Sequence, residues 1–308
     1  MRRIKQLVLV FLILILPSGL LAQDGVRLNR VIDLLANGQA AFGVLSFDYS
    51  LDNARSLASS GLDFIIIDME HAPFDVERLR LFLLGMTDKR MIEEKGNLQP
   101  NVVPLVRIPA TGSEDMVWQV KQVLDVGVFG VMVPSVNNRE EAELAVRALR
   151  YPQLNGADDY EPAGLRGRNP ANASWYWGIR DYHEKADVWP LDPAGELLAI
   201  IQIESPEGVA NIDAILSVPG ISVIFIGPSD LSTAMGYASA AAPEVEAAIQ
   251  TVLQACIASG VPCAITTSAN TVEQRIAQGF RFVTVGADGG LSGFTTDALS
   301  RGKTAAGR

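Results

Sequence analysis

The apolar positions of this chain fall mostly into short unbroken runs. One run, Phe64-Ile65-Ile66-Ile67, leads directly into Asp68, Met69, Glu70 and His71, and Pro73 ends the segment. A short apolar run rich in β-branched residues predicts a strand buried on both faces, the kind found in parallel sheets. Polar residues enter only at its C-terminal end, where α/β sheets and barrels carry their chemistry. The plan recurs along the chain, with strands predicted over 41–47, 63–70, 101–109, 127–134, 197–204, 222–231, 262–267 and 280–285. An amphipathic helix over 26–37 precedes the first strand and reads as a cap for one end. Later helices are predicted over 52–60 with Asp52 as N-cap, from Asp75 onward, and over 113–126, 138–151, 206–216, 243–259 and 271–278. A last short helix follows Asp288. Two stretches break the plan. Residues 87–100 are polar without period and read as a surface insertion. Residues 152–193 are rich in Gly, Pro, Asn and aromatics and read as a long irregular loop, folded over the site as a lid or packed on a neighbouring subunit. Eight strand–helix alternations predict an α/β fold in which parallel strands close into a single-domain (β/α)8 TIM barrel.

The first residues follow a different pattern. Arg2, Arg3 and Lys5 precede an apolar run over 7–16, and a small residue, Ala22, offers a cleavage point. This reads as a signal peptide over 1–22, with the barrel over 23–308 and a periplasmic or secreted mature protein; an uncleaved anchor is the alternative. The run is shorter than the roughly 20 residues a membrane-spanning helix needs. Composition adds exclusions. The formal net charge of -10 argues against nucleic acid as partner. Cys256 and Cys263 read as two buried thiols, and no Cys/His spacing suggests zinc.

Polar residues at predicted strand ends carry the candidate chemistry. They are Glu70 and His71, Arg107, Gln202 and Glu204, and Asp230. In a barrel these ends converge on one mouth. Glu204 and Asp230, from neighbouring strands, make an open site for a hard divalent cation. Each taken alone reads as readily as a solvated loop acid. His71 suits acid–base work near neutrality, though a histidine before Ala-Pro is also an ordinary turn residue. Arg107 fits a carboxylate or an oxyanion, or a structural ion pair with a barrel acid. The turn Gly227-Pro228-Ser229 offers backbone N–H groups to an anion. His183 reads as a surface residue, and Trp175 to Trp177 as packing or interface. No P-loop or GxGxxG follows any strand, so no nucleotide cofactor is suggested. No strand ends in a lysine placed for a Schiff base.

Taken together, several segments resemble the HpcH/HpaI aldolases, metal-dependent class II enzymes acting on 4-hydroxy-2-oxo acids. They are Asp68-Met69-Glu70-His71-Ala72-Pro73, Pro104-Leu105-Val106-Arg107, Leu124-Asp125-Val126-Gly127, Pro162-Ala163-Gly164-Leu165-Arg166-Gly167, Gln202-Ile203-Glu204, Phe225-Ile226-Gly227-Pro228-Ser229-Asp230-Leu231-Ser232 and Val285-Gly286-Ala287-Asp288. The resemblance spans roughly residues 38–295. It implies Glu204 and Asp230 as metal ligands, His71 as catalytic base, Asp125 as the acid paired with that histidine, and Arg107 on the keto or enolate oxygen of pyruvate. It further implies Gln202 beside the pyruvyl group, the Gly227–Ser229 backbone as its carboxylate site, and Asp68 and Glu70 as supporting acids. The cofactor implied is Mg²⁺, Mn²⁺ or Co²⁺, and the assembly a homo-oligomer, typically a hexamer. The expected reaction is reversible cleavage of a 4-hydroxy-2-oxo acid to pyruvate and an aldehyde. A pyruvyl lyase of different reaction (a decarboxylase or a citrate-lyase-like enzyme) and an exported 2-oxo-acid binding protein are the alternatives. An export leader, the 87–100 insertion and the expanded loop set this chain apart from the family pattern.

Overall fold

A computed structural model describes residues 26–288 and 292–308; the predicted leader lies outside the described residues. Nine strands occur in chain order: β1 (Ala41–Ser46), β2 (Phe64–Asp68), β3 (Val103–Arg107), β4 (Gly130–Val133), β5 (Val188–Trp189), β6 (Leu197–Ile203), β7 (Val223–Ile226), β8 (Cys263–Thr266) and β9 (Phe282–Ala287). Parallel pairing runs β4-β3-β2-β1-β9-β8-β7-β6, and β6 returns to β4, so eight strands close into a barrel. Two-residue β5 attaches to β6 beside it. The apolar runs form these strands because both faces are covered. Every residue of β2, β3, β4, β6 and β7 is buried. Each buried Ile or Val side chain contributes about 1.5–3 kcal/mol. Inside the barrel the Phe64 and Phe282 rings stack at 3.8 Å. Gly43 of β1 lies under Phe64, where any Cβ would collide with the ring.

The helices surround the strands: α1 (Arg30–Ala36), α2 (Leu51–Ala58), α3 (Val76–Gly85), α4 (Lys89–Lys95), α5 (Val117–Val126), α6 (Arg139–Leu149), α7 (Ala171–Trp177), α8 (Tyr182–Lys185), α9 (Pro206–Ala210), α10 (Ile212–Leu216), α11 (Pro228–Ala234), α12 (Pro243–Ser259), α13 (Val272–Gln278) and α14 (Gly293–Ala305). Helix α1 closes the N-terminal end of the barrel. Its cap Asn29 donates to the carbonyls of Phe129 and Glu196, at the starts of β4 and β6, and takes its own N–H bond to Glu196 Oε2 at 2.9 Å.

Several expectations need correction. The cap of α2 is Ser50, whose hydroxyl accepts from Asn53, rather than Asp52. The 206–216 helix is two short ones, and the last helix is thirteen residues long. The 87–100 insertion is not irregular: Asp88 caps α4 and Gly96, at φ 67°, ends it. No residue of α4 is buried, so it lacks the apolar period by which helices are read. The 152–193 stretch contains α7, α8 and β5, and its helical part is no lid. The Trp177 indole stacks on Phe129 at 4.4 Å and donates to the Gly127 carbonyl at 2.7 Å. Both partners stand at the N-terminal approach to β4, the end of the barrel away from Glu70 and His71.

Candidate active site

The strand register sets the site. Asp68, last in β2, pairs with Arg107, last in β3. Arg107 Nε donates to Asp68 Oδ1 at 3.1 Å, and Nη2 donates to Asp68 Oδ2. Nη1 stands 3.0 Å from Glu70 Oε2. Asp68 also gathers the chain that follows it, since Oδ1 accepts the N–H of Glu70 at 2.9 Å and of His71 at 3.4 Å. Asp68 is wholly buried and Arg107 nearly so. Burial by itself would lower the Arg107 pKa; Asp68, Glu70 and Glu204 outweigh it and hold the guanidinium charged. A guanidinium has five N–H donors; Asp68 takes two in hydrogen bonds, Nη1 faces Glu70 as an ion pair without a hydrogen bond, and two more N–H groups remain.

Glu70 is the least satisfied member. Its Oε2 is buried and lies 3.0 Å from Arg107 Nη1 and 3.6 Å from His71 Nε2, yet it forms no hydrogen bond. Burial pushes its carboxyl above the ordinary range, Arg107 opposes that, and Glu204 pushes it further up. His71 itself is exposed, its side chain 58% accessible.

Glu204 enters from the residue after β6 and is buried. Its Oε1 accepts the Ser135 N–H at 2.9 Å and the Ser135 hydroxyl at 2.6 Å; its Oε2 accepts Gln202 Nε2. Gln202 Oε1 is buried without a partner. Ser135 follows β4 in a left-handed conformation, φ 51°, which costs a non-glycine residue on the order of 1–3 kcal/mol. It is a site residue that the sequence reading missed. A hydroxyl directly after the Val133-Pro134 strand end was the available signal, but its partner lies 69 positions on. Gly227 closes the floor. A Cβ there would stand 2.5 Å from Glu204 Oε2 and 3.0 Å from Gln202 Nε2. Pro228, Ser229 and Asp230 form the first turn of α11 rather than a free loop, and Asp230 is exposed. Gly227→Ala is therefore expected to abolish metal-dependent binding of oxalate, a small pyruvate-enolate mimic, with little change in melting temperature. Calorimetric titration in the presence of Mn²⁺ checks it.

Asp125 is not in this cluster. It lies near the C-terminal end of α5, which runs back from the mouth to the start of β4, and it bonds Arg166 Nη2 at 3.0 Å. The expected contact with His71 is therefore not made within one chain. The acid beside His71 is Glu70. His183 stacks on Tyr151 at 4.6 Å.

Among the described residues no three His, Cys, Asp or Glu side chains converge as a ligand set. The donors present nonetheless fit a divalent cation, which Glu204 would help to hold. Asp68 and Glu70 contact one guanidinium and the charge of Glu204 also reaches it, so negative charge is in excess. Gln202 leaves an unpartnered buried oxygen and Gly227 leaves space against Glu204. Hard carboxylate oxygens match Mg²⁺, Mn²⁺ or Co²⁺.

A closed α/β barrel with buried arginine, carboxylates and an exposed histidine at the carboxyl ends of its strands has the makings of an enzyme site for a small anionic substrate. Comparison with known proteins sharpens that class. The profile of the HpcH/HpaI aldolase/citrate lyase family matches residues 49–293, and the chain belongs to that family. It is similar to the 5-keto-4-deoxy-D-glucarate aldolase of Escherichia coli (strain K12), 31% identical over 275 residues that cover 88% of this chain and 95% of that protein. A 4-hydroxy-2-oxo-heptane-1,7-dioate aldolase of Shigella boydii is 36% identical over 260 residues, covering 83% and 86%. An HpcH/HpaI aldolase/citrate lyase family structure from Burkholderia cenocepacia J2315 superposes with a TM-score of 0.71 at 29% identity, covering 90% of this chain and 97% of that one. The chain is a carbon–carbon lyase of the class II aldolase type.

Proposed function

We propose that this enzyme cleaves a 4-hydroxy-2-oxo acid to pyruvate and an aldehyde, and joins them in reverse, with a divalent cation held by Glu204 and Asp230. One observation carries the reading: a buried guanidinium paired with Asp68, facing Glu70 and within the field of Glu204, beside a floor where Gly227 leaves room against Glu204. The cation supplies a Lewis acid for the oxygens of the 2-oxo acid. The chain's own groups do the rest. Gln202 orients the pyruvyl end. In the Gly227–Ser229 turn the Gly227 N–H is bound to the Ile203 carbonyl and Pro228 has none, so the Ser229 N–H at the start of α11 receives the carboxylate. Cleavage breaks the C3–C4 bond. The C4 hydroxyl proton passes to His71, C4 becomes the aldehyde carbon, and the electron pair of the broken bond moves into the C2–C3 enolate. The two remaining N–H groups of Arg107 meet the enolate oxygen as its charge develops. The proton taken up by His71 balances the one that C3 then receives, directly or through solvent, to yield pyruvate and restore the neutral imidazole.

The test uses purified chain, Mg²⁺, Mn²⁺ or Co²⁺, and a panel of 4-hydroxy-2-oxo acids. The panel begins with the substrates named for the two relatives above. Pyruvate release that EDTA and His71→Ala both abolish is the expected outcome. Release that survives Glu204→Ala would overturn the assignment of the cation to that residue.

We also propose export through the leader over 1–22. N-terminal sequencing of protein recovered from the periplasm or medium is expected to begin at Gln23; an intact Met1 in the membrane fraction would make the leader an anchor. A homo-oligomer, hexameric by family likeness, belongs to the same reading. Asp125 stands at the opposite end of the barrel from His71, so on this reading the pairing that the family resemblance implies is made by the Asp125 of a second copy.

A further inference from the structure

The register of β1 on β2 runs only as far as Ser46 and Ile67. The next carbonyl of β2, that of Asp68, receives the Tyr49 hydroxyl at 2.6 Å. Asp68 is the residue from which the candidate site hangs, through Arg107 on its carboxylate and the Glu70 and His71 N–H groups on its Oδ1. Tyr49 is itself held in place. Its loop is gathered onto Asp288, just past β9, whose carboxylate accepts from the Ser46 hydroxyl, from the N–H of Phe47 at 2.9 Å and of Asp48 at 3.4 Å, and from Asn53 Nδ2 at 2.6 Å. Asn53 also donates to the Asp48 carbonyl at 2.7 Å. The Tyr49 ring packs edge-on against Phe82 at 6.5 Å. Burial, reinforced by the charge of Asp68, raises the Tyr49 pKa, so the hydroxyl stays a donor throughout the working range. Hydrogen bonds, joined by the covalent link from Asp48 to Tyr49, thus connect the end of β9 to the backbone of His71.

We infer that Tyr49 is a positioning residue for His71, acting through the Asp68 peptide and anchored by Asp288. The peptide that joins Asp68 to Met69 is planar, so fixing its carbonyl fixes the direction in which the chain leaves β2. That direction decides where the His71 N–H meets Asp68 Oδ1, and so where the imidazole stands. Arg107 depends on the Asp68 carboxylate and on the β2–β3 register instead. The two halves of the site are therefore held by different means: the 2-oxo-acid half by strand register, the proton-accepting half by a loop. The inference rests on the reading of His71 as the proton acceptor.

Tyr49→Phe keeps the ring and its Phe82 contact and removes only the donor. In the full chain with Mn²⁺ we expect kcat to fall about 10-fold, the order seen when a supporting partner of a site residue is lost. KM is expected to stay within about 2-fold, because Arg107 and its carboxylate partner are untouched. A second readout does not need turnover. The chain has only two histidines, so with ¹³C-histidine labelling the His71 ring resonance should move in Tyr49→Phe while that of His183 stays in place. Asp288→Asn should move the His71 resonance in the same direction. An unmoved His71 resonance, an unchanged kcat, or a loss of kcat that merely follows loss of folded protein would each overturn the inference. If the wild type releases no pyruvate with any metal, the aldolase reading fails, and the resonance comparison still decides the role of Tyr49.

Discussion

Arg107→Lys is expected to lower kcat/KM by about 10²–10³-fold, the range found when a preorganised donor to a developing oxyanion is removed. Charge is not what is lost, since lysine carries the same charge. What is lost is the fork. Arg107 spends two N–H groups on the two Asp68 oxygens and one toward Glu70, and keeps two for a substrate oxygen. A single ammonium cannot span Asp68, reach Glu70 and still present a fixed donor to an enolate. Stability should fall as well, because Asp68 is wholly buried and its carboxylate would keep only the lysine and two backbone N–H groups. Arg107→Ala goes further, leaving that carboxylate without a counter-charge at a cost of about 3–5 kcal/mol. The measurement is steady-state pyruvate release with a thermal melt on the same preparation. If Arg107→Lys kept near wild-type kcat/KM, Arg107 would be a structural counter-ion to Asp68, and the enolate oxygen would need another donor.

The eight barrel strands were legible in the sequence because each is buried on both faces, which writes an unbroken apolar run into the chain. β2 shows the limit case, four apolar residues and then Asp68, with the change of character falling at the barrel mouth. The outer elements were not legible to the same degree. Helix α4 buries nothing, and α7 buries only Ala173 and Trp177, so neither carries a helical apolar stripe. Residues that support the site from a distance were hidden for another reason. Ser135 acts on Glu204 through a left-handed backbone, and Tyr49 reaches the carbonyl of Asp68 across a loop held by Asp288. Neither relation is a spacing. Both exist only once the strands have closed. Asp125 shows the reverse: its Leu-Asp-Val-Gly context is easily matched, but whether it can touch His71 depends on which end of the barrel α5 delivers it to.

Combining His71→Ala with Asp125→Asn subunits is expected to restore activity that neither variant has alone. Each single variant should lose about 10²–10⁴-fold in kcat, the usual contribution of a positioned acid–base group. Within one chain the two side chains stand at opposite ends of the barrel. His71 follows β2 at the mouth, and Asp125 is held by Arg166 near the start of β4. Burial raises the Asp125 pKa while Arg166 and Lys121 oppose it. If His71 meets Asp125 of the partner subunit, an assembly formed from equal amounts of the two variants contains some sites in which both groups are intact. With random mixing in a symmetric assembly that fraction is about a quarter. Co-refolded or co-expressed variants should therefore recover about a quarter of wild-type activity, whereas the two variants mixed after separate folding should recover none until subunits exchange. If no recovery occurs on co-assembly, and Asp125→Asn alone is as active as wild type, then Asp125 is a structural partner of Arg166. Glu70, 3.6 Å from the imidazole, would then be the acid beside His71 among the described residues.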